Sequence, residues 1–303
     1  MNFFPALCRA PALMLLAPAC LALLAGSAQA AVTVVDDNGN RVTLQQPARR
    51  VISMAPHVTE LLFAAGGGPR VVGAMNFSDY PEAAKKIPLV GSSSQLDIER
   101  MIALKPDLLV VWQSGNTARQ LEQLRQLGIP MFYSEPTSLE QVAASVVRLG
   151  QLMGTEVAAQ AAAAAFRSKI AALGDKYSKR APVRMFYQIW DRPLYTLNGK
   201  QIASDVMRLC GGVNVFGHLL VKAPEVSIEA VIQENPEVIL GGDRQERIDA
   251  GLNVWKPFTS MLAVRRGNVF TVNGELLTRA GLRLADGATE MCEKLELARQ
   301  RRQ

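Results

Sequence analysis

Two hydrophobic periods take turns along this chain. Between Arg50 and Met153, short runs of apolar, often β-branched residues alternate with segments whose apolar positions recur every three to four residues. "RVISM" leads into "HVTELLFAAGG", "RVVGAM" into a "SDYPEAAKK" turn, "DLLVVW" into "TARQLEQLRQLG", and "PMFYSE" into "SLEQVAASVVRLGQLMG". Continuous apolar strands separated by helices predict a parallel sheet covered on both faces. Thr117 and Ser138 stand where N-caps are expected, and Gly128 and Gly154 where helices stop. The following stretch, "TEVAAQAAAAAFRSKIAALGDKYSK", breaks the alternation. It has no proline or glycine between Thr155 and Leu173, which predicts one uninterrupted helix. At 1.5 Å per residue such a helix spans roughly 30 Å, about the width of a small domain.

A second alternating region follows, with "VRMFYQIW", "QIASDVMRLCGG", "VSIEAVIQENP", "EVILGG", "NVFTVNG" and a last helix from about Thr278. The pattern as a whole predicts an α/β protein of two Rossmann-like lobes joined by a single long helix, with a ligand cleft between the lobes. The expected boundaries are 31–153 for the first lobe, 154–180 for the bridging helix and 181–303 for the second lobe. An internal repeat supports the division, since "LDIERMIALKPDLLVV" at 96–111 matches "VSIEAVIQENPEVILG" at 226–241 without a gap. Each copy has a capping residue (Asp97, Ser227), then Ile-Glu, an apolar pair, a proline, an acid and a strand. Helical spacing puts Ile98, Met101 and Ile102 on one face, as it does Ile228, Val231 and Ile232. Glu99 and Glu229 fall off that face toward solvent. Either glutamate alone is explained by favourable charge near a helix N-terminus, worth a few tenths to about 1 kcal/mol; two at equivalent points suggest a paired docking function.

Composition narrows the class. The first thirty residues read as an export signal, with Arg9 near the start, the apolar stretch "PALMLLAPACLALLAG" and the small-residue pattern "AQA" ending at Ala30. A lipoprotein anchor at Cys20 is the competing reading, disfavoured because "APAC" lacks the usual leucine. No later apolar run is long enough to span a bilayer. Residues 31–303 are too many for a typical single core. The net charge of +6 is spread over the chain, which suits a solvated surface and excludes a nucleic-acid function. Of four cysteines, Cys8 and Cys20 belong to the signal; Cys210 and Cys292 remain as one pair in an oxidising compartment and are predicted to form a disulfide.

Catalytic motifs are missing. Two histidines, His57 and His218, rule against a multi-histidine metal site, and no G-x-S-x-G elbow, P-loop or G-x-G-x-x-G fingerprint occurs. His57, beside Pro56 at a helix start, is read as a surface or capping residue. No enzyme activity is expected. What converges instead is a set of large side chains at strand ends, where open α/β sheets bind ligands. Tyr80 follows "VVGAM", Trp112 ends "DLLVVW", Trp190 ends "VRMFYQIW", and Arg279 lies after "NVFTVNG". Trp255, in a helical connection, is assigned to packing.

With "RVISMAPHVTELLFAAGG", "SDYPEAAKKIPLVG", "LDIERMIALKPDLLVVWQSGN", "YTLNGKQIASDVMRLCGGVNVF" and "VSIEAVIQENPEVIL" in order, the chain resembles the helical-backbone periplasmic substrate-binding proteins of ABC importers, closest to the cobalamin (vitamin B12) binding proteins. The resemblance implies a monomer that captures cobalamin or a related corrinoid and delivers it to an inner-membrane ABC permease. It implies that Tyr80 and Trp112 face the corrinoid from the first lobe and Arg279 from the second, with Trp190 near a ligand-facing position. It also implies that Glu99 and Glu229 dock on basic residues of the permease, and that Cys210 pairs with Cys292. The chain departs from the family in "GSSSQLDIE" and "VKAPEVSIE", which lack the tryptophans that cobalamin binders tend to carry there. Haem is the alternative cargo, because haem-binding relatives have a tyrosine in a similar "YP" context; a ferric siderophore is the third.

Overall fold

The computed structural model describes Met1 and residues 31–243 and 251–302. The expected export signal over 1–30, and the alternative anchor at Cys20, lie outside the described residues. Residues from Ala31 onward form one compact unit. It opens with an antiparallel hairpin, β1 (Val32–Val35) and β2 (Arg41–Leu44), which the sequence pattern did not announce. The first α/β region follows as β3 (Val51–Ser53), α1 (Pro56–Ala64), β4 (Val71–Ala74), α2 (Ile98–Ala103), β5 (Leu108–Val111), α3 (Ala118–Gln126), β6 (Met131–Tyr133) and α4 (Leu139–Met153). Helix α5 (Glu156–Tyr177) comes next and runs without a break through Gly174. The second region is β7 (Val183–Gln188), a small hairpin of β8 (Trp190–Asp191) and β9 (Leu194–Tyr195), α6 (Ile202–Leu209), β10 (Gly212–Asn214), α7 (Ile228–Glu234), β11 (Val238–Asp243), α8 (Leu262–Arg265), β12 (Val269–Asn273), α9 (Gly274–Thr278) and α10 (Leu284–Gln300). The last long helix thus starts at Leu284 rather than near Thr278, because Asn273 caps the separate short helix α9.

Two four-stranded parallel sheets result, in the orders β4-β3-β5-β6 and β10-β7-β11-β12. The two orders are the same: in each sheet the first strand of the region is flanked by the second and third, and the fourth lies outside. The chain therefore reverses its winding direction beside β3 and beside β7, which creates a crevice at the carboxyl ends of those strands. The repeat found in the sequence occupies the same station in both sheets, α2–β5 and α7–β11. The anticipated caps are present: Asp97, Thr117, Ser138 and Ser227 each accept a backbone N–H of their helix. Gly128 and Gly154, at φ +66° and +61°, close α3 and α4.

Strand alternation divides the core. Leu108 and Val110 of β5, with Val238 and Leu240 of β11, point into one large apolar cluster that also takes in buried faces of α1, α4, α5, α6 and α10. Leu109 and Val111 face a second cluster with Leu121 and Leu124, and Ile239 faces a third with Phe186 and the fully buried Trp255. Both faces of each sheet are thus covered, as continuous apolar strands require. The central cluster runs from one sheet to the other without interruption, and α5 contributes Ala159, Ala163, Phe166 and Tyr177 to it. Cys210, at the end of α6, is bonded to Cys292 of α10 with Cα atoms 4.7 Å apart. Closing an 82-residue loop restricts the unfolded chain by roughly 4 to 5 kcal/mol.

One expected face is smaller than the spacing suggested. Met101 and Val231 are buried, but Ile102 is 54% exposed, because the six-residue α2 turns only its Met101 edge to the core.

Candidate binding crevice

The strand order fixes what can meet across the crevice. In the first sheet β4 and β6 are the edges and β3 and β5 the centre; in the second, β10 and β12 are the edges. The loop after β4 carries Asp79 and Tyr80, and the segment after β12 carries Arg279 and Arg283. The residue after β6 is Ser134, followed by Glu135, and the loop after β10 carries Lys222. Charged links tie edge to edge on both sides, leaving the central strands and their tryptophans between them.

The first link is a cluster of charges gathered around the buried Glu60 carboxylate. Arg279 Nη1 donates to Asp79 Oδ1 at 2.6 Å and to Glu60 Oε1 at 3.4 Å. Arg283 makes a two-pronged contact with Glu60, its Nε donating to Oε2 at 3.0 Å and its Nη2 to Oε1. The Glu60 side chain is 4% exposed and that of Arg279 14%. Gly281 passes so close that a Cβ there would stand 3.0 Å from Glu60 Oε2 and crowd the carboxylate between the two arginines. Burial pushes the Asp79 carboxyl up, but the hydrogen bond and charge of Arg279 and the charge of Arg283 outweigh it and hold the group below the usual carboxylate range. Burial likewise disfavours charge on Arg279, and Asp79, Glu275 and Glu60 more than restore it.

Tyr80 sits against this cluster. Its ring is 45% exposed, and the Arg283 guanidinium lies 4.0 Å from its centroid, covering one face as a cation–π contact. Arg279 itself is engaged with acids of the opposite lobe rather than standing free.

The second link is more open. Lys222 Nζ donates to Glu135 Oε1 at 2.9 Å, and Glu135 also accepts from Ser114 Oγ at 2.7 Å and Ser114 N at 3.0 Å. Burial raises the Glu135 carboxyl, while Lys222 and Ser114 together lower it below its ordinary value.

Between the links lie Trp112, directly after β5, and Trp190, in the hairpin after β7. Each is 37% exposed. The indole Nε1–H of Trp190 donates to the Arg192 carbonyl at 2.9 Å. Trp112 is seated more tightly. The His57 ring meets it edge to face, with centroids 5.2 Å apart at 81°, and a Cβ at Gly115 would fall 1.8 Å from its Cε3 atom. The expected surface role of His57 is corrected here. The side chain is 6% exposed, because α1 starts immediately after the central strand β3 and aims it under Trp112. Burial drives its pKa down to about 4, against the raising effects of Glu135 and the Ser134 backbone, with Arg279 lowering it further.

Glu99 and Glu229 are exposed at the second positions of α2 and α7. Each helix precedes the third strand of its sheet and runs against it, so its N-terminus emerges on the crevice edge. Beside Glu99 is an open depression of about 450 Å³ bounded by Asn76, Gln95 and Asp97; beside Glu229 one of about 390 Å³ bounded by Asp191, Pro193 and Ser227.

Sequence reasoning passed over Glu60, Asp79, Arg283, Lys222 and Glu135. One signal was available: Glu60 lies three residues after His57 in "HVTE", on the same helical face, and that face turns out to be buried.

Comparison with known proteins agrees with this architecture. The family model described as "Periplasmic binding protein" matches residues 51–276. A curated "Vitamin B12-binding protein" of Vibrio campbellii is 38% identical over 256 residues, covering 84% of this chain and 92% of that one. The crystal structure of the periplasmic vitamin B12 binding protein of Vibrio cholerae superimposes with a TM-score of 0.78 at 35% identity, covering 84% of this chain and 98% of that one. A periplasmic haem-binding protein of Roseiflexus sp. RS-1, 23% identical with a TM-score of 0.72, covers 83% and 99% and shares the fold. By sequence, strand order and crevice, the chain belongs to the periplasmic binding protein family, a family of transport substrate-binding proteins and not of enzymes.

Proposed function

We propose that this protein captures cobalamin or a related corrinoid in the crevice and hands it to an inner-membrane ABC permease. The observation that carries the reading is the pair of part-exposed aromatic planes, Tyr80 after β4 and Trp112 after β5, beyond the carboxyl ends of two strands of one sheet, joined to relatives at 38% and 35% identity whose names specify vitamin B12. A corrinoid is a broad flat ring with an apolar face and an amide-fringed rim, and such a ligand suits aromatic planes flanked by polar donors. In this reading Tyr80, Trp112 and Trp190 contact the ring, and Arg279 stands at the rim while it braces the lobes. Glu99 and Glu229 dock on basic residues of the permease, where charge steers and orients more than it adds affinity.

Membership of a periplasmic family supports a periplasmic location, reached through a cleavable signal over 1–30. The functional unit is a monomer with lobes 31–153 and 181–303 on either side of a bridge over 154–180. Because α5 shares one apolar core with both sheets and charged links cross at both edges, closure on binding is small; scattering with and without ligand checks this, and a large compaction overturns it.

Calorimetry of the exported protein against cyanocobalamin, cobinamide and haemin tests the cargo, and silence toward both corrinoids sinks the proposal. Haem remains the second reading because of the exposed Tyr80 and the haem-binding protein that shares the fold. Tyr80→Phe separates the two: a corrinoid site tolerates the change within about threefold, the loss of one weak polar contact, whereas an iron site that uses the phenolate loses its ligand band.

A further inference from the structure

Three buried side-chain atoms without a hydrogen-bond partner, His57 Nε2, Asn116 Oδ1 and Ser134 Oγ, stand around the end of β5. Their residues are 6%, 8% and 0% exposed. All three are tied to Val111 and Trp112. Ser134 N donates to the Val111 carbonyl at 2.8 Å, Asn116 N donates to the Trp112 carbonyl at 3.2 Å, and the His57 ring packs on the Trp112 indole. A buried polar group left unpaired costs about 1 to 3 kcal/mol, and leucine, phenylalanine or alanine at these positions would avoid that cost. Three such groups gathered at the end of one central strand break the rule of core construction at the place where this fold binds ligands.

Their chemistry specifies a complement. Asn116 Oδ1 is an acceptor, and the Ser134 hydroxyl accepts as readily as it donates. His57 is neutral at physiological pH, and with one ring nitrogen toward the Ser134 backbone its Nε2 offers a lone pair. An acceptor-rich cluster takes N–H donors. The Trp112 ring, itself 37% exposed, packs edge to face on the His57 member of the cluster.

We propose that His57, Asn116 and Ser134 form a second recognition subsite, uncovered when the Trp112 ring turns aside, which takes a primary-amide arm of a corrinoid. The proposal rests on the corrinoid reading above. It is tested with His57→Phe, Asn116→Leu and Ser134→Ala in the full exported protein, each measured by thermal unfolding and by calorimetry against cyanocobalamin and against its monocarboxylic acids, in which one amide is replaced by a carboxylate. The expected result is a split: Tm is unchanged or raised, while cyanocobalamin binds about tenfold more weakly, the loss of one good hydrogen bond. One monocarboxylic acid binds the wild type about tenfold more weakly than cyanocobalamin, and that penalty falls below about threefold in the variants. Affinities unchanged across all three variants overturn the subsite, as does a joint fall of Tm and affinity, the mark of a structural role. Neither result touches the ligand reading, which fails only if the wild type ignores both cyanocobalamin and cobinamide.

Discussion

The two charged links across the crevice are built from the same kinds of residue and do different physical work. At the β4–β12 edge, Glu60 and Arg279 are 4% and 14% exposed, so their attraction acts through a poorly screening interior and neither charge survives well alone. At the β6–β10 edge, Lys222 is 49% exposed and Glu135 17%, so the ammonium end of the pair stays in water, where ion pairs contribute less and salt screens them. The difference teaches that one edge is held by several charges around a buried carboxylate and the other by a single half-exposed lysine, so the two links should respond unequally to mutation and salt.

The comparison is broken most directly at Glu60. Glu60→Ala strips Arg283 of its carboxylate partner beside Arg279, which keeps Asp79, and is expected to cost about 3 kcal/mol, read as a lower denaturant midpoint. His57, between the links, supplies the next largest effect. Its folded pKa, about 4, lies below the ordinary 6.5, so as pH falls from 6.5 to 4 the unfolded chain takes up the proton first and stability drops by roughly 3 kcal/mol across that window. His57→Phe should flatten that part of the curve, and an unchanged slope would show that another group is responsible.

A smaller acid effect belongs to Asp79. Its folded pKa is depressed, so its contribution is complete above about pH 4, the unfolded value, and is lost as pH falls through the lower folded value. In Asp79→Asn that loss is absent, and stability at neutral pH is already reduced. The smallest change is Lys222→Ala, expected to cost less than about 1 kcal/mol and to vanish in 0.5 M salt. A salt-resistant loss there would show that the second link is as dry as the first.

The periodic features were legible because they are written locally. The strands of the first sheet, β7, β11 and β12 of the second, the caps Asp97, Thr117, Ser138 and Ser227, and the unbroken α5 each follow from a few neighbouring residues, whereas the three-residue β10 carries too short a pattern to be read. The pairing of Cys210 with Cys292 was legible because residues 31–303 hold these two cysteines and offer one combination. The hairpin β1–β2 was missed because "VTVV" and "RVTL" are too short to show their alternation against a polar surround. His57 was misplaced because one histidine beside a proline carries no sign of what will lie over it.

By itself the sequence determined the two α/β regions, the stiff helix between them, the repeat that sets Glu99 and Glu229 at equivalent points, and the strand ends that deliver Tyr80, Trp112 and Trp190. These depend on period and order, which a linear chain contains. Only the tertiary structure decided that Arg279 would pair with Asp79 and Glu60, residues 200 and 219 positions away, and that His57, Asn116 and Ser134 would each leave a buried polar atom unpaired around the end of β5. The physical reason is that charge pairing and desolvation depend on what stands across a crevice, and the two sides of this crevice come from opposite ends of the chain.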